Sequence, residues 1–114
     1  MWKSIASSSD GTNLAAGVNG GSIYMSTNAG ATWTERLDDQ SRFWMSIAFS
    51  WDDTTLAAVA STDFIWTSTD AGSTWTAQTA AGSRRWQSIA SSSDGTNLAA
   101  VESAFGIGSI WTYA

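Results

Sequence analysis

The chain has 114 residues, a length suited to one small domain, with a formal net charge of −5 and no Pro, Cys or His. Its five basic residues, Lys3, Arg36, Arg42, Arg84 and Arg85, are too scattered to neutralise a nucleic-acid backbone. The lack of His excludes Ser-His and His-metal chemistry, and no apolar run is long enough to span a bilayer.

The first element expected is a strand at Trp2–Ala6. It recurs at Trp44–Ala48 and Trp86–Ala90, with the three Trp residues spaced by 42 each time. The stretch Ser4–Ala16 returns unchanged at Ser88–Ala100. The chain is therefore a repeat with units at 1–43, 44–85 and 86–114, the third truncated. Within strand A, simple alternation puts Trp44, Ser46 and Ala48 on one face and Met45 and Ile47 on the other.

The turn Ser9–Thr12 follows, where Asp-Gly supplies the positive φ of a tight hairpin. Strand B is built on Leu14–Ala16 and its equivalents. A variable loop comes next: Asn19-Gly20-Gly21, Ser61-Thr62-Asp63, or the longer Glu102–Ser109. Strand C is Ile23–Ser26, Ile65–Ser68 or Ile110–Tyr113. Strand D is Thr32–Arg36 or Thr74–Gln78, and connectors at 37–42 and 79–84 lead to the next strand A. Four antiparallel strands in about 40–45 residues, repeated, describe a β-propeller blade. The fold class expected is all-β, with about 2.75 blades. A single β-sandwich is the structural competitor.

Between strands C and D, Ser68-Thr69-Asp70-Ala71-Gly72-Ser73-Thr74-Trp75 reads S-x-D-x-G-x-T-W. Ser26, Asn28, Gly30, Thr32 and Trp33 repeat it with Asn for Asp. This hairpin resembles the Asp box of the bacterial neuraminidase repeat families, which include sialidases, some glucanases, sortilin-like receptors and photosystem assembly factors. As a structural device it makes sense: Asp70 or Asn28 accepts from its own turn, Gly72 or Gly30 takes positive φ, and Trp75 or Trp33 seals the hairpin.

The resemblance implies that the A–B and C–D turns share one face, and that the B–C loops and D–A connectors share the other, where ligands usually meet propellers. Asp38, Arg42, Phe43, Trp44, Asp63, Phe64, Arg84 and Trp86 are the candidate ligand-face residues. A glycan is the ligand class that such aromatic and polar groups would suit. The competing assignment for Trp2, Trp44 and Trp86 is packing between blades. The resemblance is compatible with an extracellular parent, although no signal-peptide pattern follows Met1.

The catalytic set of sialidases is not recognisable. It needs three Arg, a Tyr–Glu pair and an acid, whereas here Arg42 and Arg84 lie one repeat apart, the Tyr residues are Tyr24 and Tyr113, and the Glu residues are Glu35 and Glu102. Asp38-Asp39 and Asp52-Asp53 lack EF-hand spacing, so no metal or cofactor is expected. Two complete blades and part of another cannot close a ring. The expected partner is a second copy, giving six blades, with strand C of unit 3 as an outer edge.

Overall fold

In a computed structural model the described residues are 2–8, 10–39, 41–50, 54–79, 82–91, 97–102 and 110–113. They form eleven antiparallel strands: β1 Trp2–Ser7, β2 Leu14–Gly21, β3 Ile23–Ser26, β4 Thr34–Arg36, β5 Arg42–Phe49, β6 Leu56–Asp63, β7 Ile65–Ser68, β8 Thr76–Gln78, β9 Arg84–Ser91, β10 Leu98–Glu102 and β11 Ile110–Tyr113. Pairing runs in sequence order within three blades, β1 to β4, β5 to β8, and β9 to β11. Among the described residues, β11 is the last strand of blade 3.

The connectors are shorter than the sequence suggested. Arg42 and Arg84 already belong to strands β5 and β9, and they reach back to pair with the preceding blade. Gly21 lies opposite Arg42 and Asp63 lies opposite Arg84. Each junction is therefore stitched by a few backbone pairs as well as by packed side chains. Strand D is also shorter than expected: β4 and β8 start at Thr34 and Thr76, one residue after the hairpin Trp.

Two buried clusters lie at the two junctions. Ala15, Ile23 and Met25 of blade 1 meet Trp44, Ile47, Leu56, Ala58 and Ala60 of blade 2, with Trp66 and Trp75 packed against them. Ala57, Val59 and Ile65 of blade 2 meet Trp86, Ile89, Leu98 and Ala100 of blade 3. Blade 2, covered on both sides, thus has a Trp-bearing leading face and a smaller trailing face, both apolar.

Simple alternation along strand A is overturned here. The register shifts between Trp44 and Ser46, since Trp44 pairs with Ala60 and Ser46 with Val59. That bulge adds one residue to the strand and resets its faces. Trp44 and Ile47 consequently share the leading face, while Met45 and Ala48 share the trailing one. A register shift at Trp2/Ser4 repeats the feature in blade 1. Phe49, a departure from the Ser of the other units, is half-buried against the first junction; Trp51, its companion, lies outside the described residues.

Candidate functional site

The two faces of the wedge are built differently. On one, the A–B and C–D turns are tied together: the Ala29 N–H donates to the Thr12 carbonyl at 2.9 Å, and Ala71 donates to Thr54 at 2.9 Å. Here lies the S-x-D-x-G-x-T-W hairpin. The Ser68 hydroxyl donates to Asp70 Oδ1 at 2.8 Å and accepts the Gly72 N–H at 2.9 Å. Asp70 also accepts the Thr74 N–H at 2.9 Å and the Thr74 hydroxyl. These bonds, the Thr74 hydroxyl foremost, hold the Asp70 carboxyl down at about 2.

Blade 1 closes the same turn with Asn28, and one bond reverses. Asn28 Nδ2 donates to Thr32 Oγ1 at 2.7 Å, while Asn28 Oδ1 still accepts the Thr32 N–H at 2.9 Å and Gly30 still donates to the Ser26 hydroxyl at 2.9 Å. Gly30 and Gly72 take positive φ as their sequence context requires, 91° and 89°. Ala29 and Ala71 take it too, both at 59°, which no sequence rule had indicated. Trp33 and Trp75 each donate their indole N–H to the Gly carbonyl of their own turn, at 3.1 and 3.0 Å. Trp75 lies in the first junction, so it seals two blades as well as one hairpin.

On the other face, Arg42 is the centre. Its side chain is 5% exposed. Its Nε donates to Asp63 at 3.0 Å, and its two terminal nitrogens take Asp39 at 2.9 and 3.1 Å. The guanidinium carbon lies 4.6 Å from the Trp66 ring centroid and 5.9 Å from that of Trp44. Burial opposes the charge, but the bonds and charges of Asp39 and Asp63 outweigh it and raise the guanidinium above its ordinary value. Asp63 is saturated as well, since Oδ1 accepts from the Phe64 N–H at 2.6 Å and the Trp66 indole at 3.2 Å. In blade 3, Arg84 pairs with Glu102 at 3.1 Å.

Of the candidate ligand-face residues, Trp44 and Trp86 are wholly buried between blades, and Arg42 and Asp63 are used up in one ion-paired knot. Phe64 is half-buried. Phe43, at 56% exposure, and Asp38 remain on the surface, with Arg84 partly so. Asp39 and Trp66 complete the knot; the sequence offers Asp39 only as half of an acidic pair with Asp38, and it does not mark Trp66 as a partner of Arg42. Among the described residues no group of three or more His, Cys, Asp or Glu could hold a metal ion.

A broad concave surface lies elsewhere. Trp2, Ile5, Ala16, Tyr24 and Trp33 line an open apolar hollow of about 520 Å³ on the leading face of blade 1. Trp2 packs edge-on against Tyr24, with ring centroids 5.5 Å apart. The repeat shows what this surface becomes when covered. Trp2 is 64% exposed, whereas its equivalents Trp44 and Trp86 are both 0% exposed. The trailing face of blade 3 is bare in the same way: Ile110 is 76% exposed, against 3% for Ile65.

No protein-family model and no curated protein sequence matches the chain. Solved structures do match by shape. They include YCF48 bound to D1 peptide, at a TM-score of 0.74 and 15% identity over 97% of this chain and 36% of that one. A chain of a nidogen/laminin complex matches at 0.79 and 16%, over 97% of this chain and 43% of that one. A GH74 enzyme of Niastella koreensis matches at 0.68 and 21%, over 98% of this chain and 16% of that one. The chain therefore spans less than half the length of each of these structures. The shared architecture is that of the β-propeller, built from antiparallel blades without α-helix among the described residues.

Proposed function

We propose that the chain is a non-enzymatic propeller scaffold of the Asp-box type that completes its ring with a second copy of itself. The observation that carries this reading is the contrast between Trp2 and its repeat equivalents Trp44 and Trp86. The hollow around Trp2 has the residues of a blade junction with one side missing. The one described surface with matching chemistry is the trailing face of blade 3, where Val101 and Ile110 stand where Val59 and Ile65 are buried. Fully covering a Trp or Ile side chain contributes roughly 1.5–3 kcal/mol, and a two-fold ring buries both bare faces of both copies. The turn carboxylates support a structural part in this reading. Asp10 and Asp70 are held as acceptors with lowered pKa, the opposite of what a general acid requires.

The contact is head-to-tail, so charges on opposite faces test it. Trp2→Asp and Ile110→Lys should each leave monomers. Mixing the two variants should restore a dimer, since one junction then joins Asp to Lys and the other is unaltered. Separate variants that still dimerise, or a mixture that does not, contradict the reading.

Glycan binding is the second reading, supported by the exposed ring of Phe43 and the exposed carboxylate of Asp38, both at the connector between blades 1 and 2. Retention on a glycan array that Phe43→Ala abolishes, with the oligomer mass kept, would establish it. Lack of retention would leave the scaffold alone.

A further inference from the structure

A groove between blades 1 and 2, on the turn face, departs from the repeat in a consistent direction. It encloses about 140 Å³ and is lined by Met25, Thr27, Thr32, Thr34, Arg36 and Ser73, with no carboxylate among its lining residues. In blade 2 the position equivalent to Arg36 is Gln78, whose amide donates to Thr67 Oγ1 at 2.6 Å. In blade 1 that hydroxyl is replaced by the thioether of Met25, and glutamine by arginine. Arg36 thus carries a charge where its repeat partner carries none, and has lost the neighbour that would satisfy it. Its Nε is buried without a hydrogen-bond partner, and among the described residues Arg36 makes no ion pair. A buried donor left in this condition is costly.

A third difference points the same way. Where blade 2 has the Asp70 carboxylate, blade 1 has the neutral Asn28, which removes a negative charge from the turn that carries Thr32. The Asn28 amide donates to Thr32 Oγ1, so the Thr32 hydroxyl keeps its own proton for an outside acceptor. In blade 2 the Thr74 hydroxyl proton is already given to Asp70. The carboxylate nearest in sequence to Ser73, that of Asp70, is engaged by Ser68 and Thr74.

We propose that this groove binds a tetrahedral oxyanion, a sulfate or phosphate carried free or as the ester group of a larger ligand. Arg36 supplies the charge and an N–H fork suited to two anion oxygens, and the Thr27, Thr32, Thr34 and Ser73 hydroxyls supply the remaining donors. The groove volume is several times the roughly 30 Å³ of one water, which accommodates such a group. The site lies within one chain and does not depend on ring closure.

The test is a titration of the Arg36 Nε–H resonance with sodium sulfate, sodium phosphate and glucose 6-sulfate, against sodium chloride at matched ionic strength. A saturable shift at millimolar sulfate or phosphate is expected. The double variant Met25→Thr/Arg36→Gln installs the pair that blade 2 already folds with, and should weaken binding about tenfold or more. Asn28→Asp should weaken it as well. Stronger binding of glucose 6-sulfate than of sulfate assigns the site to an esterified ligand, and weaker binding assigns it to the free ion. An unsaturable shift, the same shift with chloride, or full binding by the double variant overturns the proposal.

Discussion

The Ile89 N–H donates to the Ser46 hydroxyl at 3.3 Å across the junction of blades 2 and 3, and the Ile47 N–H donates to Ser4 at the same distance across the junction before it. Strand A of each blade thus hands one hydroxyl to strand A of the next. Ser88 is the third member of this series, and it is exposed. Ser46→Ala should therefore lower the stability of the single chain by about 1 kcal/mol. Ser88→Ala should leave that stability unchanged and instead weaken association. Chemical denaturation of a monomeric Trp2→Asp background reads the first quantity, and dilution of the unaltered background reads the second.

Arg42 joins connector, strand A and strand B of blade 2 through Asp39 and Asp63. Arg42→Met should destabilise the chain by about 3–5 kcal/mol, because it leaves the Asp63 carboxylate largely buried without its cation. Lysine should rescue only part of this loss, since it cannot hold Asp39 with two nitrogens while reaching Asp63. Urea unfolding of the two variants checks the order. A role confined to ligand contact would leave both as stable as the parent.

How far these features were readable from the sequence varies by residue. The 42-residue spacing of Trp2, Trp44 and Trp86 announced the blades, and Gly30 and Gly72 announced their turns, because a repeat and a positive φ each leave a local mark. The bulge at Trp44/Ser46 leaves none, since it is fixed by how strand A fits its neighbours, and so simple alternation puts Ile47 on the wrong face. Asp39, Asp63 and Trp66 converge on Arg42 from sites up to 24 residues away, and only the fold brings them together. The orphaned Nε of Arg36 could have been suspected from the paired exchange of Thr67 and Gln78 for Met25 and Arg36, two residues on adjacent strands.

Acid should loosen blade 2 through Asp70. Its carboxyl sits at about 2 in the folded chain against an ordinary 3.8, with the Thr74 hydroxyl bond as the largest cause. A depressed folded value means that the ionised form favours the fold. The contribution is complete above 3.8 and fades as pH falls towards about 2. Asp70→Asn should keep the turn, as Asn28 does in blade 1, and flatten the stability profile across that window. The part due to Asp10, whose pKa is also lowered by bonds to Thr12, should persist in the variant. Thermal unfolding of both proteins through the acid range measures the difference.

Backbone strain offers substitutions of opposite sign. Ala29 and Ala71 sit at φ 59°, where an alanine is strained relative to glycine. Ala71→Gly should stabilise by roughly 0.5–1 kcal/mol, net of the greater freedom of the unfolded chain. Gly72→Ala should destabilise by on the order of 2–4 kcal/mol, combining a forbidden φ with a Cβ that would lie 2.5 Å from Met25 Cε. Gly11→Ala should cost only about 1–2 kcal/mol, from φ alone, because the space beside Gly11 is open. Denaturant midpoints rank all three.

The central claim is that the bare faces of Trp2 and Ile110 cover each other in a second copy. Native mass, followed by light scattering across a dilution series, tests it most directly. The expected result is a persistent species at twice 12.1 kDa that dissociates only on strong dilution. A folded monomer of 12.1 kDa at all concentrations, with Trp2 still open to aqueous quenchers, would contradict it.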